Sequence, residues 1–468
     1  MLVDVTAVLS TSATLNVVAE AFGVPVAPTS IVASVAPAAD QAAWARLTDP
    51  QQADPHQADI HQADPQLTDP RQADPQQSRA LTVLDTLATL SRSQLQAWAT
   101  DPSSVSDLLA APPAATEVAD WWSATDAASR ITLLAGAPQV VGNLEGVPYR
   151  VRDAANRQYL AESLSAIQAK LSDGSTGRAA AEQVRAQLHM VQQVQDAIQT
   201  GDTGLRRSLI GFDAANGGRA VIAVGDLATA DYVSYLVPGM FYSVDSEIGS
   251  WAGAADGLAA DQAAWLSRLT PAQHAGESHT VATVAWIGYE TPSVVNIASL
   301  DLAREGRDAL ASSLHGLEAV RADGAPYLSV LAHSYGATAA LLALTDTDVT
   351  VDALAMVGSP GSPAENVGQL KGRDANVWVA DATLDPVAST GVFGSQPLSP
   401  SYGAKHFGVD GAVDPVTGAD LAGSLGHVDY FTAGSESFRN MALIGIGQGR
   451  LVITPDGATA AAAFRALG

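Results

Sequence analysis

From residue 205 onward, short apolar runs alternate with longer segments of helical periodicity, and this alternation limits the fold more than any other feature of the chain. The runs 208–212, 220–224, 232–237, 280–286, 327–331, 353–357 and 377–380 are mostly continuous apolar stretches rather than an apolar–polar alternation. Strands of that composition must be covered on both faces, which a parallel sheet with helices above and below achieves. The helix expected over 296–321 is one such cover. The pattern predicts an α/β unit over 205–468 with a mostly parallel central sheet, whose ligands would sit at the carboxyl ends of the strands.

The run 327–331 leads into Ala332-His333-Ser334-Tyr335-Gly336, and the alanine- and leucine-rich stretch behind it reads as a helix. A strand, a serine between small residues and a helix form the pattern of a nucleophile elbow. Its turn is so tight that the residues two before and two after the serine must be small, and its strain holds the hydroxyl clear of the sheet. Those positions are Ala332 and Gly336, so a methyl stands where glycine is usual. An ordinary strand-to-helix turn also fits the pentapeptide; its place after a core strand favours the nucleophile.

A serine hydroxyl needs a base, and the base needs a third group to orient it. For an elbow of this kind the partners follow in the order Ser, Asp or Glu, His. Only His406 and His427 follow Ser334. His427, in a Gly-His turn ahead of an expected helix, is the expected base and His406 the weaker candidate. Asp385 lies five residues past the run 377–380, where Asp-Pro starts a turn, and is the expected acid. Asp381 lies closer to the strand end and is the runner-up. An oxyanion requires two backbone N–H donors. Tyr335, next after the serine, supplies one, and Met240, after Pro238-Gly239 at the end of the run 232–237, is the expected second. His333 adjoins the nucleophile, so its side chain is expected to point elsewhere and serve the structure.

Composition removes several alternatives. The chain has no cysteine, which excludes disulfides, thiol nucleophiles and cysteine-bound metals. Its net charge of −25, from 49 acidic and 24 basic residues, argues against nucleic acid and against anionic membrane surfaces. No run approaches the ~18 apolar residues of a membrane span. The first residues, Met1-Leu2-Val3-Asp4-Val5, carry no positive charge and do not resemble a secretory signal. A soluble cytoplasmic protein is expected, with signal-less export as the alternative.

Ahead of the α/β unit, residues 1–48 are apolar and alanine-rich, with a short helix expected over 15–22. Over 49–77 an Asp recurs every fifth residue, and Pro follows it each time except at Ile60. Proline at that period forbids a continuous helix, so the segment reads as an extended linker. Residues 78–204 read as helical. Ser91 and Gln94 offer a capping box for a helix through Trp98. Leu160, Leu164, Ile167 and Leu171 form one apolar stripe, and Val184, Leu188, Val191, Val194 and Ile198 a second. The break at 173–177 makes them an αα-hairpin.

Seven short segments carry a resemblance. They are Gly142-Asn143-Leu144-Glu145-Gly146-Val147-Pro148, with Arg152-Asp153 and Ala155-Asn156-Arg157 just after; Leu236-Val237-Pro238-Gly239-Met240; Ala285-Trp286-Ile287-Gly288-Tyr289; the serine pentapeptide; and Val357-Gly358-Ser359-Pro360-Gly361. In this order they resemble the actinobacterial α/β-hydrolase family long catalogued as a domain of unknown function, over about 115–450. The resemblance implies an α/β-hydrolase fold with a helical segment beside it, and a triad of Ser334, Asp385 and His427. The family usually has glycine at the position of Ala332. Asn143, Arg152 and Asn156 belong to its signature and are expected to tie the helical segment to the core. Trp121, Trp122, Trp286 and Tyr289 are expected in the core rather than in an acyl pocket.

Together these readings predict a serine hydrolase acting on a carboxylic ester, lipid-like or another small acyl ester, with no metal or organic cofactor. Acyl transfer or amide cleavage on the same triad is one alternative. A non-catalytic binding or secretion-associated protein that keeps the fold is another.

Overall fold

Helices come first, as the apolar stripes require. The computed structural model describes residues 75–173, 177–215, 218–240, 242–269, 279–292, 299–322, 324–372, 376–388 and 390–457. Residues 1–48, with the helix expected over 15–22, and nearly all of the repeat over 49–77 lie outside the described residues. Helix α1 (Pro75–Ala88) starts on the last proline of the repeat, at a helix position where a missing N–H is harmless. Helices α2 (Arg92–Ala99), α3 (Pro102–Ala110), α4 (Ala115–Ala124), α5 (Ala127–Gly136) and α6 (Pro138–Val141) follow. They enclose an apolar cluster of their own that includes Leu84, Leu95, Val118, Trp121 and Trp122. The capping box at α2 forms: the Ser91 hydroxyl accepts from the Gln94 amide, and the Gln94 side chain accepts from the Ser91 amide.

Helices α7 (Tyr149–Ser172) and α8 (Arg178–Ala197) pack on each other through the two predicted stripes. Leu160, Ile167, Val184, Val191, Val194 and Ile198 are buried there, with Leu164, Leu171 and Leu188 partly buried against them.

The sheet contains β1 (Arg207–Asp213), β2 (Arg219–Val224), β3 (Tyr232–Val237), β4 (Val281–Ile287), β5 (Tyr327–His333), β6 (Ala353–Val357), β7 (Val377–Ala380) and β8 (Lys405–His406). Their order is β1-β2-β4-β3-β5-β6-β7-β8. The pairings from β4 through β8 are parallel, whereas β1–β2 and β2–β4 are antiparallel. Each of the seven apolar runs is a strand. The expected helix over 296–321 is α10 (Asp301–Val320).

Side chains alternate between two cores, as the pleat demands. Leu331 of β5 faces a cluster shared with α7, α8, α9 (Val244–Leu269) and α12 (Glu436–Gly445). Val330 and Ala332 face the other cluster, under α10 and α11 (Tyr335–Asp346). Trp286 and Tyr289 stack within that second core with ring centroids 5.7 Å apart, and Trp121 and Trp122 lie in the helical cluster, so all four are core residues. No helix among the described residues is long and apolar enough to cross a membrane.

β1 is an edge strand, yet its outer backbone groups are not left open. Asp153 Oδ1 accepts from Leu209 N at 2.8 Å, and Asn156 Nδ2 donates to Leu209 O at 3.0 Å. Asn143 both accepts from Phe212 N at 2.9 Å and donates to Phe212 O at 2.8 Å. Arg157 donates to Arg207 O at 2.7 Å. Asn143 and Asn156 thus tie the helical segment to the sheet, as expected. Arg152 instead closes its own neighbourhood, pairing with Glu145 and donating to Gly142 O.

Register sets the location of the site. Val237 pairs with Ala332, His333 with Val357, and Val357 with Ala380. The carboxyl ends of β3, β5, β6 and β7 therefore lie side by side.

Candidate active site

Strand β5 ends at His333 and α11 begins at Tyr335, leaving Ser334 alone to turn the chain. Ser334 has φ 55° and ψ −130°, and it is the one non-glycine residue with positive φ among the described residues. Such a conformation costs about 1–3 kcal/mol and persists only where the surroundings impose it. Here the Ser334 amide donates to Val357 O at 3.0 Å. A Cβ at position 336 would lie 2.4 Å from Pro238 O and 2.7 Å from Val237 O, so only glycine fits there. Ala332 is fully buried and keeps its pairing with Val237 and Met356, so its methyl is absorbed by the core.

The three side chains expected to act together do meet. Ser334 Oγ lies 2.8 Å from His427 Nε2, and both oxygens of Asp385 lie 2.8 Å from His427 Nδ1. Ser334 and His427 are each 2% exposed, which removes water that would weaken these contacts. The Asp385 carboxylate also accepts from the Val387 and Ala388 amides, at 2.8 and 3.1 Å, and from the Tyr430 hydroxyl at 2.7 Å. Burial opposes ionisation of Asp385. The bonds and charge of His427, with those of Tyr430 and the Ala388 amide, outweigh it and hold the carboxyl at about 2. It is the oxygens of Asp385, not those of Asp381, that hydrogen-bond His427 Nδ1. His406 lies in β8 at the far edge of the sheet, and the ring at the serine is that of His427.

Met240 and Tyr335, the residues expected to bind an oxyanion, lie where the chain brings β3 against the elbow. A Cβ on Gly239 would sit 2.4 Å from Ser334 Cβ and 2.9 Å from its Oγ, so the backbone ahead of Met240 runs directly beside that hydroxyl. Met240 is fully buried. Tyr289 holds this turn by donating its hydroxyl to Pro238 O at 2.9 Å. Tyr335 is the first residue of α11, and N–H groups of a first helical turn have no partner within the helix. The positive end of the helix dipole lies at the same point.

Three residues of the site escaped the sequence reading. Tyr430, three residues past His427, donates to Asp385 and accepts from the Ala382 amide at 2.7 Å. Gly358 follows β6 with φ 60°, and a Cβ there would lie 2.7 Å from Asp385 Oδ2 and 3.0 Å from His427 Nδ1. The motif containing Gly358 was visible, but not its position under the Asp–His pair. His333 does not point away from the site: its ring lies 4.7 Å from that of His427, centroid to centroid. A cavity of about 290 Å³ lined by Tyr149, Arg150, Arg206 and Asp226 contains none of these residues.

The sequence profile described as Alpha/beta hydrolase matches residues 213–395, a span that includes Ser334 and Asp385. An uncharacterized protein of Mycobacterium bovis is 30% identical over 200 residues, 41% of this chain and 73% of that protein. The chain belongs to the α/β-hydrolase family. An uncharacterized protein of Mycobacterium tuberculosis shares 27% identity with this α/β-hydrolase over 386 residues, 72% of this chain and 57% of the relative. The chain thus spans little more than half the length of that relative. Similar solved structures include an esterase/lipase from an uncultured bacterium, at TM-score 0.32 and 10% identity, covering 61% of this chain and 97% of that one. Carboxyl esterase 2 of the fungus Tuber melanosporum has TM-score 0.33 and 12% identity, covering 54% and 89%.

Proposed function

We propose that this α/β-hydrolase is a serine esterase that cleaves lipid-like acyl esters through an acyl-enzyme, with its chemistry in 205–468 and the helical region 78–204 as support. The observation that carries the reading is the unbroken series of contacts from Asp385 through His427 to Ser334 at a strained elbow. In this reading His427 Nε2 takes the proton of Ser334 Oγ as the oxygen attacks the ester carbonyl. Asp385 keeps the other ring nitrogen protonated and stabilises the imidazolium that forms. The amides of Tyr335 and Met240 receive the negative oxygen of the tetrahedral intermediate. His427 then returns the proton to the departing alcohol, and a water activated by the same ring releases the acid.

The apolar nature of the substrate is supported by exposed side chains close in sequence to Asp385 and His427. Leu384 adjoins Asp385 and is 71% exposed, while Leu425 and Val428 flank His427 at 68% and 52%. Large exposed aliphatic side chains on the segments that carry the acid and the base suit an acyl chain better than a polar ester.

The test is covalent labelling with a fluorophosphonate, comparing wild type with Ser334→Ala. Wild type should label and the variant should not. Labelling that survives the substitution, or folded wild type that never labels, removes the assignment. A series of p-nitrophenyl esters of increasing chain length then reads the acyl preference, and turnover that falls steadily with length contradicts the lipid-like substrate.

A further inference from the structure

We propose that His333 is a positioning residue for the base: from its place beside the nucleophile it holds the main chain of His427, so that the dipeptide His333-Ser334 fixes both partners of the proton transfer. The proposal rests on the serine-esterase reading above. His333 Nε2 lies 2.7 Å from the backbone oxygen of His427. A carbonyl can only accept, so Nε2 carries the hydrogen. Nδ1 is buried without a hydrogen-bond partner among the described residues, so the ring is the neutral Nε2–H tautomer. Desolvation first, and then the nearness of His427, keep its pKa down at about 3. His333 therefore stays uncharged while His427 becomes an imidazolium, and two adjacent cations are avoided.

The surroundings fix the His333 ring as firmly as it fixes its partner. Tyr242, Tyr430 and Phe431 lie around it at centroid distances of 5.7, 5.9 and 6.2 Å. Tyr430 and Phe431 come from the loop that carries the base, and Tyr242 from the chain just past Met240. The imidazole of His427 meets Asp385 through Nδ1 and Ser334 through Nε2, and the proton it shuttles changes both of these bonds during turnover. The bond from His333 goes to the main chain and does not change when that proton moves. It can hold the loop in register through acylation and deacylation alike.

Two substitutions separate this role from simple packing. His333→Phe keeps a ring among the aromatic neighbours and removes the donor. His333→Gln places an amide N–H near the position of Nε2. Each is measured for kcat and KM on a p-nitrophenyl ester and for its rate of fluorophosphonate labelling, scored per folded protein from the amplitude of its thermal melt. His333→Phe should lose about 10²-fold in kcat and in labelling rate with KM nearly unchanged, the effect expected of an ångström-scale misplacement. His333→Gln should recover most of that loss. A His333→Phe variant that turns over at the wild-type rate overturns the proposal, as does a folded His333→Gln variant no better than His333→Phe. If wild type itself neither labels nor turns over esters, the esterase reading falls and this proposal with it. If wild type labels while His333→Phe is unimpaired, only this proposal falls.

Discussion

Replacing Gly358 by alanine tests the geometry of the site while leaving Ser334, Asp385 and His427 themselves unsubstituted. The added Cβ would stand 2.7 Å from Asp385 Oδ2 and 3.0 Å from His427 Nδ1 and Cε1, where ordinary contact begins at 3.4 Å. The carboxylate would have to retreat by roughly the 0.7 Å difference between contact and clash. It cannot do so freely, because the Val387 and Ala388 amides and the Tyr430 hydroxyl hold it from the other sides. The pair must therefore lengthen or tilt, and a displacement approaching 1 Å costs up to about 10²-fold in rate. The residue also sits at φ 60°, where an L side chain costs about 1–2 kcal/mol. Gly358→Ala should then lose 10- to 100-fold in ester turnover, by order of magnitude, and melt several degrees lower while staying folded. Turnover kinetics beside a thermal melt measure both. Wild-type kcat in a protein destabilised by the expected amount would show that the Asp–His pair does not depend on this close approach.

Three more perturbations test other contacts described above. Asp385→Asn should lower turnover by about 10⁴-fold while Asp381→Asn stays near wild type; the reverse ranking would move the acid to Asp381. Because the Asp385 carboxyl is held near 2, below its ordinary 3.8, its stabilising contribution of about 2 kcal/mol is complete above pH 3.8 and fades as pH falls toward 2. Urea unfolding of wild type and Asp385→Asn should show their stability gap narrowing by that amount between pH 4 and pH 2, and a gap independent of pH would contradict it. Asn156→Ala removes the side-chain donor of Leu209 O and one of two from Gly142 O, which keeps Arg152, and should cost about 1–3 kcal/mol in unfolding free energy. A loss below about 1 kcal/mol would mean that water or backbone movement replaces the side chain.

The sheet was legible because its strands are covered on both faces, so continuous apolar runs stood out against helical stripes at every one of the seven positions. β8 was not legible, since two residues, Lys405 and His406, are too few to carry any period. Ser334 announced itself through small residues two before and two after it, between a strand and a helix, and chain order left two histidines to choose between. Asp385 could be placed from the turn that follows a strand. Tyr430, His333 and Gly358 had no such local sign. Tyr430 meets an acid 45 residues earlier in the chain, and His333 meets a backbone oxygen 94 residues later. Contacts at that range exist only once the sheet has aligned its strand ends. The ring of His333 is expected to face away because it adjoins Ser334 in sequence, but Ser334 lies past the end of the strand, and the loop of His427 folds back over both.

The polar side chains along β1 have a consequence for what else can pair with this sheet. An uncovered edge strand offers a template on which another chain can add, and proteins suppress that hazard by covering or charging the edge. Here Asn143, Asp153, Asn156 and Arg157 occupy the outward amides and carbonyls of β1 in place of a ninth strand. A fragment trimmed to begin at β1 would keep Ser334, Asp385 and His427 and yet bare an adhesive flank, so the helices ahead of the sheet are its guard against self-association.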